Sequence, residues 1–568
     1  MLHFIDFEVF AQDWLCVIMS PTHKTKKVIV NDRDKLKAYY DKYKNEIFVG
    51  YNIRRYDQFI FKGILLGFNP KDVNDWIIVK DRTGWKYSDL FWSKDVNITL
   101  YDVIPGKVGL KKLEAFMGNN IKESDVDFLL NRKLNAAEIA QTIEYCTHDV
   151  EQTMQVFLYR MTHFDAVRGL RKEFNLPLSD LGKTDAQLAA TILGATKRTY
   201  DDEWNIRLPD TARLGKYAAV GEWFLNPENQ REKAMLSIDI AGVPHDFGWG
   251  GVHGAVKNYI HECAPDEIML MVDVDQLYPT LMIEYNILSR SITMPERFAS
   301  ILKTSLELKA KGEKKKREPF KLICNVVSGA GGDETNPMYD PLNRNLVCVF
   351  GMTLMVDLID KIDSFCELIQ SNTDGILVKL KRADLPKLDA AITEWERRTR
   401  LHMSRNEYKK VIQKDVNNYI VVATDGSYKG KGVVVKAQNP LDYDCPIINE
   451  AALNYFIHGI PVEETIRNCN ELIKFQQICH VSRNFDYGLH GLQPLKERTN
   501  RVFASKDLTD GAVVRGKNGQ NPVKFADTST NCFIDNDDVK NKPVPEKLDR
   551  DFYINLVQRK IDKFLGKE

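Results

Sequence analysis

No two of the ten cysteines are spaced C-x2-C, and no repeat or low-complexity segment interrupts the 568 residues. No stretch reaches the ~18 uncharged apolar residues that a membrane span needs. The cysteine pattern excludes a zinc knuckle and a disulfide framework and fits a reducing compartment. A net charge is also missing: 79 Lys plus Arg balance 79 Asp plus Glu, so any surface for a polyanion must be local. The opening "MLHFIDFEVFAQDWLCVIMS" is apolar, yet Asp6, Glu8 and Asp13 break it and no basic residue precedes it. It reads as a buried strand rather than a leader or an anchor. The length calls for two or more cores of ~100–200 residues each.

What the chain does have is carboxylates at structured spacings. Side chains alternate along a strand, so in "FIDFEVF" Asp6 and Glu8 share one face and Ile5 and Phe7 the other. Two buried acids side by side repel unless a cation lies between them. In "GYNIRRYDQFIFKGILLG", Asn52, Tyr56 and Asp57 open an amphipathic helix; in "IEYCTHDVEQTMQVF", Tyr145 and Asp149 are one helical turn apart. Four carboxylates and a phenol suit two-metal hydrolysis of a phosphodiester, with the acids holding the ions and the tyrosine orienting water.

The order D-x-E, N-x3-Y-D, Y-x3-D resembles the three motifs of the 3′ to 5′ proofreading exonuclease of family B DNA polymerases. The resemblance implies metal ligation by Asp6, Glu8, Asp57 and Asp149 and DNA contacts by Asn52 and Tyr56. In "NIKESDVDF" it implies that Lys122 meets the scissile phosphate. Gly109 in "GLKKL" departs from the family's Ser or Thr.

A second set of motifs follows in the family's order. "LMVDVDQLYPTLMIEYN" resembles the polymerase motif D-x2-S-L-Y-P-S, which implies that Asp273 is a metal ligand and Tyr278 excludes a ribose 2′-hydroxyl; Gln276 replaces Ser. "SNTDGILVKL" reads by itself as a hairpin whose Asp-Gly forms a type I′ turn with positive φ. Within the resemblance it is the D-T-D motif, with Asn372 for the first aspartate and Asp374 as the second metal ligand. Residues 297–311 have helical periodicity, Gly312 suits a helix end, and Pro319 suits the first turn of a second helix. This hairpin resembles the fingers, implying that Lys321 and Asn325 bind the incoming nucleotide, while Val326 and Ser328 replace the family's Ser and Tyr. Gly250 and Gly251 in "HDFGWGGVHGA" match a glycine motif that touches template. "VNNYIVV" resembles a primer-binding motif that keeps Tyr419 and has Asn417 for Lys, and Lys429 and Lys431 beyond it suit duplex phosphates.

The expected architecture is α+β and multi-domain: an RNase H-like exonuclease domain over 1–190, a linking segment over 191–260, a palm over 261–436 with fingers at about 290–330, and a thumb over 437–568. The expected activity is template-directed DNA synthesis with proofreading, using two Mg²⁺ per active site with Mn²⁺ as a substitute. The resemblance implies a monomer of bacteriophage type that acts on primer-template and dNTPs, away from membranes, in the cytoplasm of an infected bacterium. It further implies a phage helicase, primase and single-strand binding protein as partners. Two alternatives stay open: an exonuclease whose polymerase half has decayed, motivated by Asn372, Val326, Ser328 and Asn417, and a non-catalytic DNA-binding replication factor.

Overall fold

The alternation at the start of the chain folds as a strand, β1 (Leu2–Val9), buried along most of its length. With β2 (Trp14–Ser20) and β3 (Thr25–Val30) it forms an antiparallel meander. On its other side β4 (Ile47–Gly50) and then β5 (Leu100–Asp102) add in parallel, giving the order β3-β2-β1-β4-β5. Parallel neighbours need crossover segments. The helices Arg33–Tyr43 and Asp57–Leu66 supply them, and the second packs Phe59, Ile60, Phe61 and Ile64 into the core below β1.

The computed structural model describes residues 1–567, mixed α and β, as two compact units. The first comprises Met1–Lys183, Gln438–Glu450 and Glu463–Leu556; the second comprises Thr184–Ala437, Ala451–Val462 and Val557 onward. Much of the segment expected as a thumb therefore belongs to the first unit, where it packs on the helix Leu110–Phe116 and the residues that follow it. Arg501 fixes it there. The side chain is fully buried, and its guanidinium donates to the carbonyls of Ala115, Asn119, Asp535 and Asp537 and to Gln476 Oε1. Burial lowers its pKa to about 10, still well above neutrality. A planar donor fork is suited to holding several carbonyls at once.

In the second unit, ten strands among the described residues form one sheet. They are β6 (Met235–Ile240), β7 (Val243–Gly248), β8 (Gly251–Ala255), β9 (Tyr259–Glu262), β10 (Glu267–Val274), β11 (Glu367–Asn372), β12 (Gly375–Lys381), β13 (Met403–Asp415), β14 (Asn418–Ala423) and β15 (Tyr428–Lys431). The order is β15-β14-β13-β10-β12-β11-β8-β7-β6, with β9 paired to β13. All of these pairings are antiparallel, so β10 lies between β12 and β13. The helix Pro341–Ile362 is buried almost throughout, and its Asp357 takes a bidentate ion pair from Arg398.

Two helices, Pro295–Ala310 and Lys314–Ala330, pack as a hairpin around Gly312, whose φ of 69° is the left-handed conformation that ends a helix. The expectation that Pro319 opens the second helix is not met: that helix begins at Lys314 and carries Pro319 inside it. Proline there removes one amide donor, the partner of the Lys315 carbonyl. Lys315 is exposed, so water can satisfy that carbonyl. Among the described residues, no helix is long and apolar enough to cross a membrane.

Candidate active sites

In the first unit, β1 and the helices Asp57–Leu66 and Ala136–Tyr159 bring the predicted acids together. Ligand atoms of Asp6, Glu8 and Cys146 lie within 4.8 Å of one another. Burial, reinforced by the Asp149 charge, raises Asp6 to about 7. Burial and then the Asp6 charge hold Glu8 and Asp57 well above the usual carboxylate range. Asp149 is raised by burial and pulled back by Lys111. Burial and Asp149 push the Tyr145 hydroxyl far up, so it stays protonated. One Asp57 oxygen, Oδ1, is shielded from solvent and has no hydrogen-bond partner. A buried, mutually repelling set of carboxylates with an unused acceptor fits divalent cations.

The loop leading to Asp57 is positioned by a residue the motif reading passes over. Asp102, at the end of β5, accepts the N–H groups of Asn52, Arg54 and Ile104. This holds Asn52 at a φ of 60°, a conformation asparagine tolerates better than most residues. Tyr56 is partly buried, and its hydroxyl donates to Asn74 Oδ1 at 2.8 Å rather than projecting into solvent.

Lys122 stands at the surface and pairs with Glu144. The lysine at the acids is Lys111, which pairs with Asp149, reaches Glu114 Oε1 at 3.1 Å and lies 4.5 Å from the Tyr145 ring centroid. In its segment, "GLKKL", the sequence drew attention to Gly109 rather than to Lys111, whose pairing with Asp149 spans 38 residues of chain.

In the second unit, strand alternation puts Met269, Met271 and Asp273 on one face of β10. Asp273 pairs with Gly375 across β10 and β12, and Asn372 pairs with Gly375 across the β11–β12 hairpin. Thr373 and Asp374 thus form the tip, where Asp374 is exposed. The tip is tied to β10 by the Val274 N–H, which donates to the Asp374 carbonyl at 2.8 Å. The expected type I′ turn is absent: neither Thr373, Asp374 nor Gly375 has positive φ. Gly375 is needed for space instead. A Cβ there would stand 2.1 Å from Asp273 Oδ1 and 2.8 Å from the Val272 carbonyl. Gly251, with a φ of 151°, leaves similar room, since a Cβ would meet Thr373 Oγ1 at 2.7 Å.

Asp273, Asp374, Tyr419, Lys429 and Lys431 line one cavity of about 530 Å³, together with Asp275, Lys309, His253 and Asn406. Burial raises Asp273, Lys429 opposes that shift, and the Asp374 charge adds to it. Lys309 pairs with Asp275. Asn372 Oδ1 is buried without a hydrogen-bond partner, a neutral acceptor beside two carboxylates. That donor set suits an oxygen-preferring cation that keeps open positions for phosphate. Tyr278 lies against the buried helix, its hydroxyl hydrogen-bonded to Cys348. Lys321 and Asn325 share a face of the helix Lys314–Ala330 and are not among the residues lining the cavity; Lys321 stands 3.9 Å from Glu318, and Asn325 is exposed. Gly250 sits in the β7–β8 turn with open space beside it.

No family model matches the chain, and no curated protein matches it in sequence. Among solved structures it is similar to the family B DNA polymerase from the hyperthermophilic archaeon Pyrobaculum calidifontis, at 14% identity and a TM-score of 0.42, over 99% of this chain and 77% of that one.

Proposed function

We propose that the protein is a template-directed DNA polymerase of family B, bacteriophage type, with a 3′ to 5′ proofreading exonuclease. The observation that carries the reading is the adjacency of Asp273 and the Asp374 tip on antiparallel β10 and β12, above a cavity that also presents Lys429 and Lys431. Asp273 and Asp374 would hold the metal ions of synthesis. Asp6, Glu8, Asp57 and Asp149 would hold those of proofreading. Bound Mg²⁺, or Mn²⁺ in its place, supplies Lewis acidity and a nucleophilic oxygen at neutral pH in such sites.

The chain's own residues do the positioning. Lys429 and Lys431 meet backbone phosphates by charge, a contact that orients without reading sequence. Tyr278 limits the space at the sugar, Lys321 and Asn325 engage the triphosphate, and Tyr419 with Gly250 and Gly251 supports primer and template. In the exonuclease, Tyr145 orients water, and Asn52 and Tyr56 shape the strand's approach. Lys122 would have to leave Glu144 to reach a phosphate, whereas Lys111 already stands at Asp149. The proposed domains are an RNase H-like exonuclease, a palm with the helical hairpin as fingers, and a C-terminal region. Helicase, primase and single-strand binding protein are its proposed partners, and the infected bacterial cytoplasm its setting.

Primer extension on a defined template with Mg²⁺ and dNTPs, beside degradation without dNTPs, tests the reading. Extension with degradation supports it. Degradation alone means that the polymerase half has decayed, and DNA binding with neither activity means a non-catalytic factor.

A further inference from the structure

Three residues on neighbouring edges of the first sheet converge away from the acids. His3 lies at the start of β1, His23 in the turn between β2 and β3, and Glu46 directly before β4. His3 points to the opposite face of β1 from Asp6 and Glu8, by strand alternation, and the intervening residues separate it from Asp6 by roughly 10 Å along the strand. The nearest ligand atoms of the three residues all lie within 4.8 Å of one another. His3 Nε2 is 2.7 Å and His23 Nε2 is 3.5 Å from the same Glu46 oxygen, Oε2. His23 Nε2 is shielded from solvent and has no hydrogen-bond partner.

We propose that His3, His23 and Glu46 form a binding site for a zinc-class divalent cation, separate from both carboxylate sites. Two imidazoles and one carboxylate are a donor set that prefers zinc and its first-row neighbours to magnesium or calcium. With metal–ligand bonds of about 2.0–2.1 Å, tetrahedral ligands stand roughly 3.3 Å apart, and the observed edges of 2.7 and 3.5 Å bracket that spacing. His3 is fully buried while His23 and Glu46 are partly exposed, which leaves an entry path; the Met1 amino group stands 3.7 Å from the same Glu46 oxygen. The second ring nitrogen of His3, Nδ1, is held by the Tyr39 hydroxyl at 2.7 Å, the outer-sphere contact that fixes a metal-binding imidazole in one tautomer. The ligands come from three separate segments of chain. A bound ion would therefore clasp the start of β1 to the β2–β3 turn and to β4, stabilising the end of the sheet that carries Asp6 and Glu8.

The proposal does not depend on the polymerase reading. Full-length protein, stripped by a chelator and kept in excess Mg²⁺ to fill oxygen-rich sites, is titrated with Co²⁺. The expected result is visible ligand-field absorption that saturates at one equivalent, disappears on adding Zn²⁺, and comes with a higher unfolding midpoint. His23→Ala changes a turn residue with a partly exposed side chain, so the fold should survive, and Co²⁺ affinity should fall at least ~100-fold, more than an outer-sphere change produces. Tyr39→Phe should weaken it about 10-fold. The double change Asp6→Ala with Glu8→Ala should keep the absorption. Absence of the bands in the wild type, or unchanged Co²⁺ binding by folded His23→Ala, would overturn the proposal.

Discussion

Replacing Gly375 by alanine adds one carbon where the hairpin meets β10. The new Cβ would stand 2.1 Å from Asp273 Oδ1 and 2.8 Å from the Val272 carbonyl. The backbone oxygen belongs to a paired strand and cannot move far, so the Asp273 carboxylate must give way by at least about 1.3 Å to reach ordinary van der Waals contact. Overpacking of this kind costs about 1–3 kcal/mol of stability. A misplacement of about 1 Å in a catalytic constellation costs roughly 100-fold in rate, or ~2.7 kcal/mol of barrier. Gly375→Ala should therefore extend primers ~100-fold more slowly under single-turnover conditions. Degradation of a single-stranded oligonucleotide by the same preparation should stay near wild type, because Asp6, Glu8, Asp57 and Asp149 belong to the other compact unit. Thermal unfolding reports the stability change independently. A variant that extends within about 3-fold of wild type would refute the reasoning, since it would mean either that the carboxylate is free to move or that its position does not matter.

Asp374→Ala should abolish extension and spare degradation, and Asp6→Ala with Glu8→Ala should do the reverse; both are read from gels of the same two substrates. Tyr278→Val should raise the efficiency of ribonucleotide relative to deoxyribonucleotide incorporation, measured as a ratio of kcat/KM values. Lys111→Met leaves the fully buried Glu114 and the buried Asp149 without their shared cation and should cost about 3 kcal/mol in denaturant unfolding, with loss of degradation. Asp6 is raised to about 7, so in chelator its protonated form stabilises the fold at low pH, and that contribution is lost as pH rises through about 7. The unfolding midpoint of wild type should accordingly match that of Asp6→Asn in acid and fall below it above neutrality; parallel curves would contradict the assignment.

Local pattern was enough where the physics is local. The alternation in "FIDFEVF" gives β1 its two faces, and helical spacing puts Tyr145 and Asp149 together. The hairpin before Gly375 was legible too, but its cause was not: the glycine answers to a carboxylate more than a hundred positions earlier in the chain, which no turn rule contains. Lys111 and Asp102 were missed for the same reason. Each acts on a segment far away in sequence, Lys111 on Asp149 and Asp102 on the loop at Asn52. Pro319 misled because a proline signal marks a helix start only when the lost hydrogen bond matters, and here solvent replaces it. Nor does periodicity reveal that residues 463–556 return to the N-terminal unit, since that depends on a buried arginine meeting carbonyls nearly four hundred residues away.

That arginine also dictates a schedule for synthesis. The Asn119 carbonyl it caps leaves the ribosome 382 residues before Arg501 does, a wait of about 20–80 s at common elongation rates. Throughout it, the Asn119 carbonyl lacks the guanidinium that caps it, while the Ala115 carbonyl keeps its local Gly118 N–H. Residues 184–437, by contrast, are contiguous and hold nearly all of the second unit, including every lining residue of its cavity. The contiguous block with Asp273 and Asp374 can thus mature on the nascent chain first, and a ribosome halted short of Arg501 would carry residues 184–437 entire, lacking only the C-terminal pieces of their unit, while the Asn119 carbonyl still waited for its arginine.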